Sequence, residues 1–167
     1  MAAVAAGCGD DNHTDIGTVS LAPSRGGYVS NADAVCALYQ DRIERNGRRR
    51  LGLHGTDFRV ADSGQVVFKP GRRPSDSEIV GFVSDVAVPE LEAQLSELRT
   101  LTRPDGDEGK LDSIYDAAAR ATGILAVDPT LALDPARMRS LFTPPLRNAR
   151  AYGFRICGAR PPTVPGA

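Results

Sequence analysis

The chain has no tryptophan, and aromatic residues fill only 5% of its 167 positions. Any core must therefore rest on Leu, Val, Ile and Ala. Two histidines and three cysteines are a small pool for metal ligation, or for a nucleophile with its base. Lysine is scarce too: 18 of the 20 basic residues are arginine, and Lys69 and Lys110 are the remainder. Acidic residues number 21, so the net charge is −1. The basic excess of a nucleic-acid binder is missing, and no such partner is expected. No phosphate-binding Gly-rich loop occurs, and neither His13 nor His54 sits near a G-x-S-x-G turn, which is absent. No catalytic residue, metal site or cofactor is expected. Paired carboxylates, for example Asp112 and Asp116 at i and i+4, are a remote basis for an acid/base enzyme, and a solvated helix face explains them better. No apolar run reaches 18 residues, so no transmembrane helix is expected.

What is present describes a globular protein: 41% hydrophobic and 25% charged residues, in a length that suits one domain. The N-terminus is different. A small apolar run ends in Ala6-Gly7-Cys8 and turns polar at once through Gly9-Asp10-Asp11. This resembles the lipobox of bacterial lipoproteins, and residues 1–8 read as the end of such a signal peptide. The resemblance implies cleavage before Cys8 and a diacylglycerol on its sulfur. Two acyl chains, at about 0.8 kcal/mol per buried methylene, would anchor the protein stably. The expected location is extracytoplasmic, on the outer face of the cytoplasmic membrane. Residues 9–27 read as a flexible tether, and His13 within it is better explained as part of a solvated acidic linker than as a cation ligand.

With Cys8 set aside, Cys36 and Cys157 remain as an even pair, 121 residues apart. Outside the cytosol such a pair favours a disulfide, and two buried free thiols are the alternative.

Between the cysteines four amphipathic segments can be read. Helix 1 is expected over 31–46, with Ser30 as N-cap, Asp33 in the first turn and Gly47 just past the end. Residues 47–74 form an insertion with two short strand-like runs around Asp62-Ser63-Gly64, a loop or small β-hairpin. Arg48-Arg49-Arg50 at its start could meet anionic lipid, although a solvated helix end favours arginine anyway. Helix 2 opens on the capping box Ser75-Asp76-Ser77-Glu78, and Pro89 should kink or split it. Helix 3 spans 108–127 with the stripe Leu111, Ile114, Tyr115, Ala118, Ala121, Thr122 and Leu125. Helix 4 begins at Asp134-Pro135, is interrupted by a kink or brief break at Pro144-Pro145 and stops at Gly153. Residues 159–167 read as a disordered tail.

These elements predict an all-α fold, an antiparallel four-helix bundle over residues 28–158 closed by the disulfide. Tyr39 and Tyr152 stand out on apolar faces, as residues that line a ligand groove or pack over the disulfide.

Ala32-Asp33-Ala34-Val35-Cys36 early and Ala149-Arg150-Ala151-Tyr152-Gly153-Phe154-Arg155-Ile156-Cys157-Gly158 late resemble a family of small secreted or lipid-anchored actinobacterial proteins. Its pattern is A-D-x-[IV]-C, a Leu-rich middle, then A-x-x-Y-G-x-x-x-C-G. The resemblance implies a compartment and a disulfide, not an activity. The expected function is a non-enzymatic cell-envelope lipoprotein, a scaffold or binding module for an envelope protein or other component. The alternative is a small-ligand carrier or sensor with a cavity between kinked helices.

Overall fold

A computed structural model describes residues 22–55, 57–60 and 66–159. Cys8, His13, most of the tether, the Asp62-Ser63-Gly64 turn and residues 160–167 lie outside the described residues. The protein is mostly helical. The helices are α1 (Arg25–Arg50), α2 (Asp76–Phe82), α3 (Val88–Thr100), α4 (Glu108–Val127) and α5 (Pro135–Tyr152). Two three-residue strands, β1 (Phe58–Val60) and β2 (Val66–Phe68), pair antiparallel, with Phe58 opposite Phe68 and Val60 opposite Val66. α3 packs beside α1 and α4, and α4 beside α5.

Helix α1 is longer than expected at both ends. Its N-cap is Ser24, whose hydroxyl accepts the Gly27 N–H, and Ser30 lies exposed inside the helix. Residues 25–27, expected in the tether, form its first turn. Glycine disfavours a helix by about 1 kcal/mol each, so Gly26 and Gly27 conceal this turn from a propensity reading. Burial of Tyr28, 1% exposed, gives a tertiary reason for it to form. At the other end Gly47 is not a terminator. It is buried within the last turn of the helix, where an added Cβ would stand 2.5 Å from a Phe82 ring carbon. The residue past the end is Gly52, at φ +61°. There the Leu53 N–H bonds the Arg48 carbonyl at 2.8 Å and the Gly52 N–H bonds that of Arg49, the two bonds of a Schellman ending.

The capping box at Ser75 forms: the Ser75 hydroxyl accepts the Glu78 N–H, and the Glu78 carboxylate accepts the Ser75 N–H. Pro89 does not split the second helical segment. The path runs from α2 through a π turn, Val83–Ala87, into α3, with Pro89 in the first turn of α3. In the wide turn the Val88 N–H bonds the Val83 carbonyl, five residues back, just before the proline that has no N–H to give. The turn also rephases the apolar face, because Val86 and Leu91 are five residues apart and cannot share one face of a regular α-helix. Ala87 and Val88 are thereby buried.

α4 occupies the expected span, and its stripe is buried except Ala118, which is half-buried. A short 3₁₀ turn, Pro129–Leu133, leads to α5. Asp134 caps α5 by accepting the Ala136 and Arg137 N–H groups, and Gly153, at φ +123°, ends it. Pro144 and Pro145 lie inside α5, which runs on through them without the expected break. Met138 and Phe142 before them and Ala149 and Tyr152 after them are all buried, so a break would expose one half of a continuous apolar face.

The core divides in two. One half joins Ile43, Leu51, Leu53, Ile79, Phe82 and Val83 to the far ends of α4 and α5. The other holds Tyr28, Cys36, Tyr39, Leu111, Tyr115 and Tyr152.

The two kinds of helical glycine separate by substitution. Gly123, exposed in α4 with open space around its Cβ position, gains about 0.5–1 kcal/mol as Ala. Gly47→Ala pushes on Phe82 and loses about 1–3 kcal/mol despite its better propensity. Thermal melts of the two variants are expected to move in opposite directions.

Candidate functional site

After Gly153 the chain turns back along α1. The Asp33 carboxylate, on a residue only 8% exposed, accepts three backbone N–H groups of this return: Arg155 at 2.9 Å, Ile156 at 2.9 Å and Cys157 at 3.0 Å. One α-helical turn along α1 from Asp33, Cys36 forms a disulfide with Cys157, with 5.3 Å between the Cα atoms. Asp33 and Cys36 share a face because they are i and i+3. Asp33 is thus not a first-turn residue facing the α1 dipole. It lies in the third turn and receives the returning chain. Its nearest sequence signal is its position three residues before Cys36.

A cavity of about 100 Å³ opens beside this clamp, lined from α1, α3, α4 and α5. Leu91, Leu95 and Leu98 line it from α3, Ala118 from α4 and Pro145 from α5, with the disulfide sulfurs' residues at one end. It sits at the seam of the two core halves: Ile43 and Phe142 belong to one, Leu98 and Ile114 to the other. Exposed Gln40 and half-buried Gln94 bring the amide groups of its lining, and Gln40 donates to the Ile156 carbonyl at 3.3 Å.

Neither Tyr39 nor Tyr152 lines this cavity; Tyr115 and Phe154 do. The Tyr39 hydroxyl donates to Glu97 at 2.9 Å, with Arg42 over its ring. Tyr152 packs edge-on to Tyr28 and against Phe154, and its hydroxyl donates to Asp107 at 3.1 Å. The Tyr28 and Tyr115 hydroxyls share a 2.6 Å hydrogen bond. Burial, then the bond from the Tyr152 hydroxyl to Asp107, pushes Tyr152 up to about 12. Burial also raises Tyr28 and Tyr115, and hydrogen bonding to Glu97 raises Tyr39.

Asp107 precedes α4 but does not cap it with its side chain. It is taken up instead by Lys110, at 2.6 Å, by Tyr152 and by Arg25, and the Lys110 bond holds its carboxyl below the ordinary range. Arg25, Lys110, Ser113, Asn148 and Tyr152 border a shallow surface cleft at this point. Asp57, buried in the insertion, accepts the His54 N–H at 2.7 Å and pairs with Arg72, an organising role not signalled by sequence pattern.

The remaining candidates are engaged elsewhere. Asp112 and Asp116 do not converge: Arg103 binds the first at 2.7 Å and Arg99 the second at 2.9 Å, both at the surface. In the basic cluster Arg48 pairs with Glu44 and Arg50 with Asp85. Among the described residues no helix is long and apolar enough to cross a membrane.

The clamp and the tyrosines generate separate tests. Asp33→Ala strips three charge-assisted hydrogen bonds and is expected to lose about 3 kcal/mol. Reduction removes a 121-residue cross-link, worth roughly 4–5 kcal/mol in the chain-entropy model. Because both hold one turn, their effects should couple, with Asp33→Ala shifting the melt less in reduced protein than in oxidised. The tyrosine contribution is complete below about 10, the ordinary value, and fades as pH rises toward about 12. In an ultraviolet titration phenolate absorbance should therefore appear at higher pH in folded protein than in urea.

Comparison of the chain with protein-family models, with curated proteins and with solved structures found no match.

Proposed function

We propose that the chain is a non-enzymatic module of the cell envelope, anchored to the outer face of the cytoplasmic membrane by a diacylglycerol on Cys8. It serves as a scaffold or binding domain for an envelope protein or component. Its fold is an antiparallel four-helix bundle with a small hairpin insertion between the first two long helical segments. The observation that carries this reading is the Cys36–Cys157 disulfide. Such bonds persist in oxidising compartments and are rare in the cytosol. The Ala6-Gly7-Cys8 start and the similarity to small secreted actinobacterial proteins support the same compartment.

A second reading, a carrier or sensor of a small ligand, is favoured by one observation: the cavity beside the disulfide, with side chains of four helices around it. Its lining lies close to the prolines of α3 and α5: Leu91 follows Pro89 by two residues, and Pro145 itself takes part.

Growth with a clickable palmitate analogue tests the anchor. Cys8 is expected to carry the label, and Cys8→Ser to lose it and leave the membrane fraction. An unlabelled Cys8 in protein that is nevertheless exported would overturn the anchor.

A further inference from the structure

Among the described residues, every buried polar side chain but one is engaged. Asp33, Asp57 and Asp107 accept hydrogen bonds, and the four tyrosine hydroxyls are paired. Thr122, only 3% exposed, has no hydrogen-bonding partner for its hydroxyl among the described residues. A threonine inside a helix ordinarily satisfies itself by giving its proton to a carbonyl three or four residues back. Ser84 and Thr100 do this, at 3.1 Å to Val80 and 2.7 Å to Glu97, and Thr122 does not. A buried hydroxyl left unmatched is costly, which points to a partner from outside the fold. The Thr122 oxygen is not walled in on every side. The open space at this residue is the cavity beside the disulfide, whose α4 wall Thr122 forms with Ile114, Tyr115 and Ala118.

The rest of the wall limits what that partner can be. It carries no carboxylate, ammonium or guanidinium group, so a charged ligand would be buried without a counterion. The Tyr115 hydroxyl is committed to Tyr28 and the Gln40 amide to the Ile156 carbonyl, and most of the remaining lining is hydrocarbon. Filling such a space with water alone would be unfavourable, because a buried water needs roughly two to four polar partners. Size is the third limit. At an interior packing density of about 0.74, a cavity of about 100 Å³ receives about 75 Å³ of matter, on the order of five heavy atoms. We infer that the cavity binds a compact, uncharged molecule of that size with a single oxygen, a small ketone or alcohol by class, and that the Thr122 hydroxyl hydrogen-bonds this oxygen. The inference rests on the carrier reading above and names its ligand class and the residue that selects it.

The test uses the full chain with its disulfide formed and follows the methyl resonances of Leu95, Leu98 and Ala118. The probes are cyclobutanone and methylenecyclobutane, which share one shape and differ in carrying an oxygen or a methylene group. Saturable shifts from both are expected, with the ketone bound roughly three- to ten-fold more tightly, the worth of one hydrogen bond. Thr122→Val swaps the hydroxyl for a methyl group and should remove that preference. Thr122→Ser keeps the hydroxyl and should keep the preference, and it carries the test if the valine variant does not fold. A preference that survives in Thr122→Val, or is lost in Thr122→Ser, would overturn the role given to Thr122. Equal or tighter binding of the hydrocarbon to the parent protein would do the same and leave the carrier reading standing. Benzene is the third probe: shifts from benzene but from neither smaller compound would overturn the size assignment and spare the carrier reading. No shift from any probe would overturn both the inference and the carrier reading.

Discussion

The returning chain after α5 has three backbone N–H groups to satisfy away from any helix or strand, and the Asp33 carboxylate accepts all three. A neutral partner would give weaker bonds, because hydrogen bonds to an ionised acceptor are roughly twice as strong. This contact brings Cys157 over α1, where Cys36 waits one turn further along. The non-covalent clamp thus positions the covalent one. The disulfide in turn holds a segment that has few other ties, among them the Cys157 sulfur's contact with the Ala32 carbonyl and the Gln40 bond to Ile156. Without this closure α5 would be tied to the rest chiefly through α4 and the 3₁₀ turn before it.

Around the clamp the protein satisfies buried polar groups in pairs. Tyr28 meets Tyr115, Tyr39 meets Glu97, and Tyr152 meets Asp107. Each pairing draws on two separate helices or on a helix and the residue before one. The scarce aromatics therefore do more than fill volume: their hydroxyls fix the register of the helices they join. Buried hydroxyls need partners, and four tyrosines on apolar faces announce that need without saying which residues meet it. The half of the core without tyrosines is held by close approach instead, with Phe82 lying on the bare backbone at Gly47. Between these two differently built halves the side chains leave the cavity beside the disulfide.

Much of the fold was legible in the chain because it comes from rules that act within four residues. The Ser75-Glu78 box, the Asp134-Pro135 start, the Gly153 stop and the α4 stripe all lie where local chemistry puts them. The same rules misplaced the ends of α1. Ser24 and Ser30 are equally good caps by type, and Gly47 and Gly52 equally good stops. What separates each pair is burial: Tyr28 draws the helix outward to Ser24, and the Phe82 ring occupies the place a side chain would take at Gly47. Prolines at 89, 144 and 145 read as kinks or breaks for the same reason. Their local effect is unfavourable, and packing on both sides outweighs it.

The sequence by itself determined the helical class, most helix starts, the candidacy of Cys36 and Cys157 as a pair, and the resemblance of the first residues to a lipobox. Tertiary structure alone decided that Asp33 receives the chain from 122 to 124 residues away, that Asp107 binds Tyr152 rather than capping α4, and that a cavity lies beside the disulfide. Periodicity and capping describe a helix and its own neighbours. A carboxylate's partner across the fold, or a space between four helices, depends on how side chains from distant segments fill a shared volume, and no local pattern encodes that.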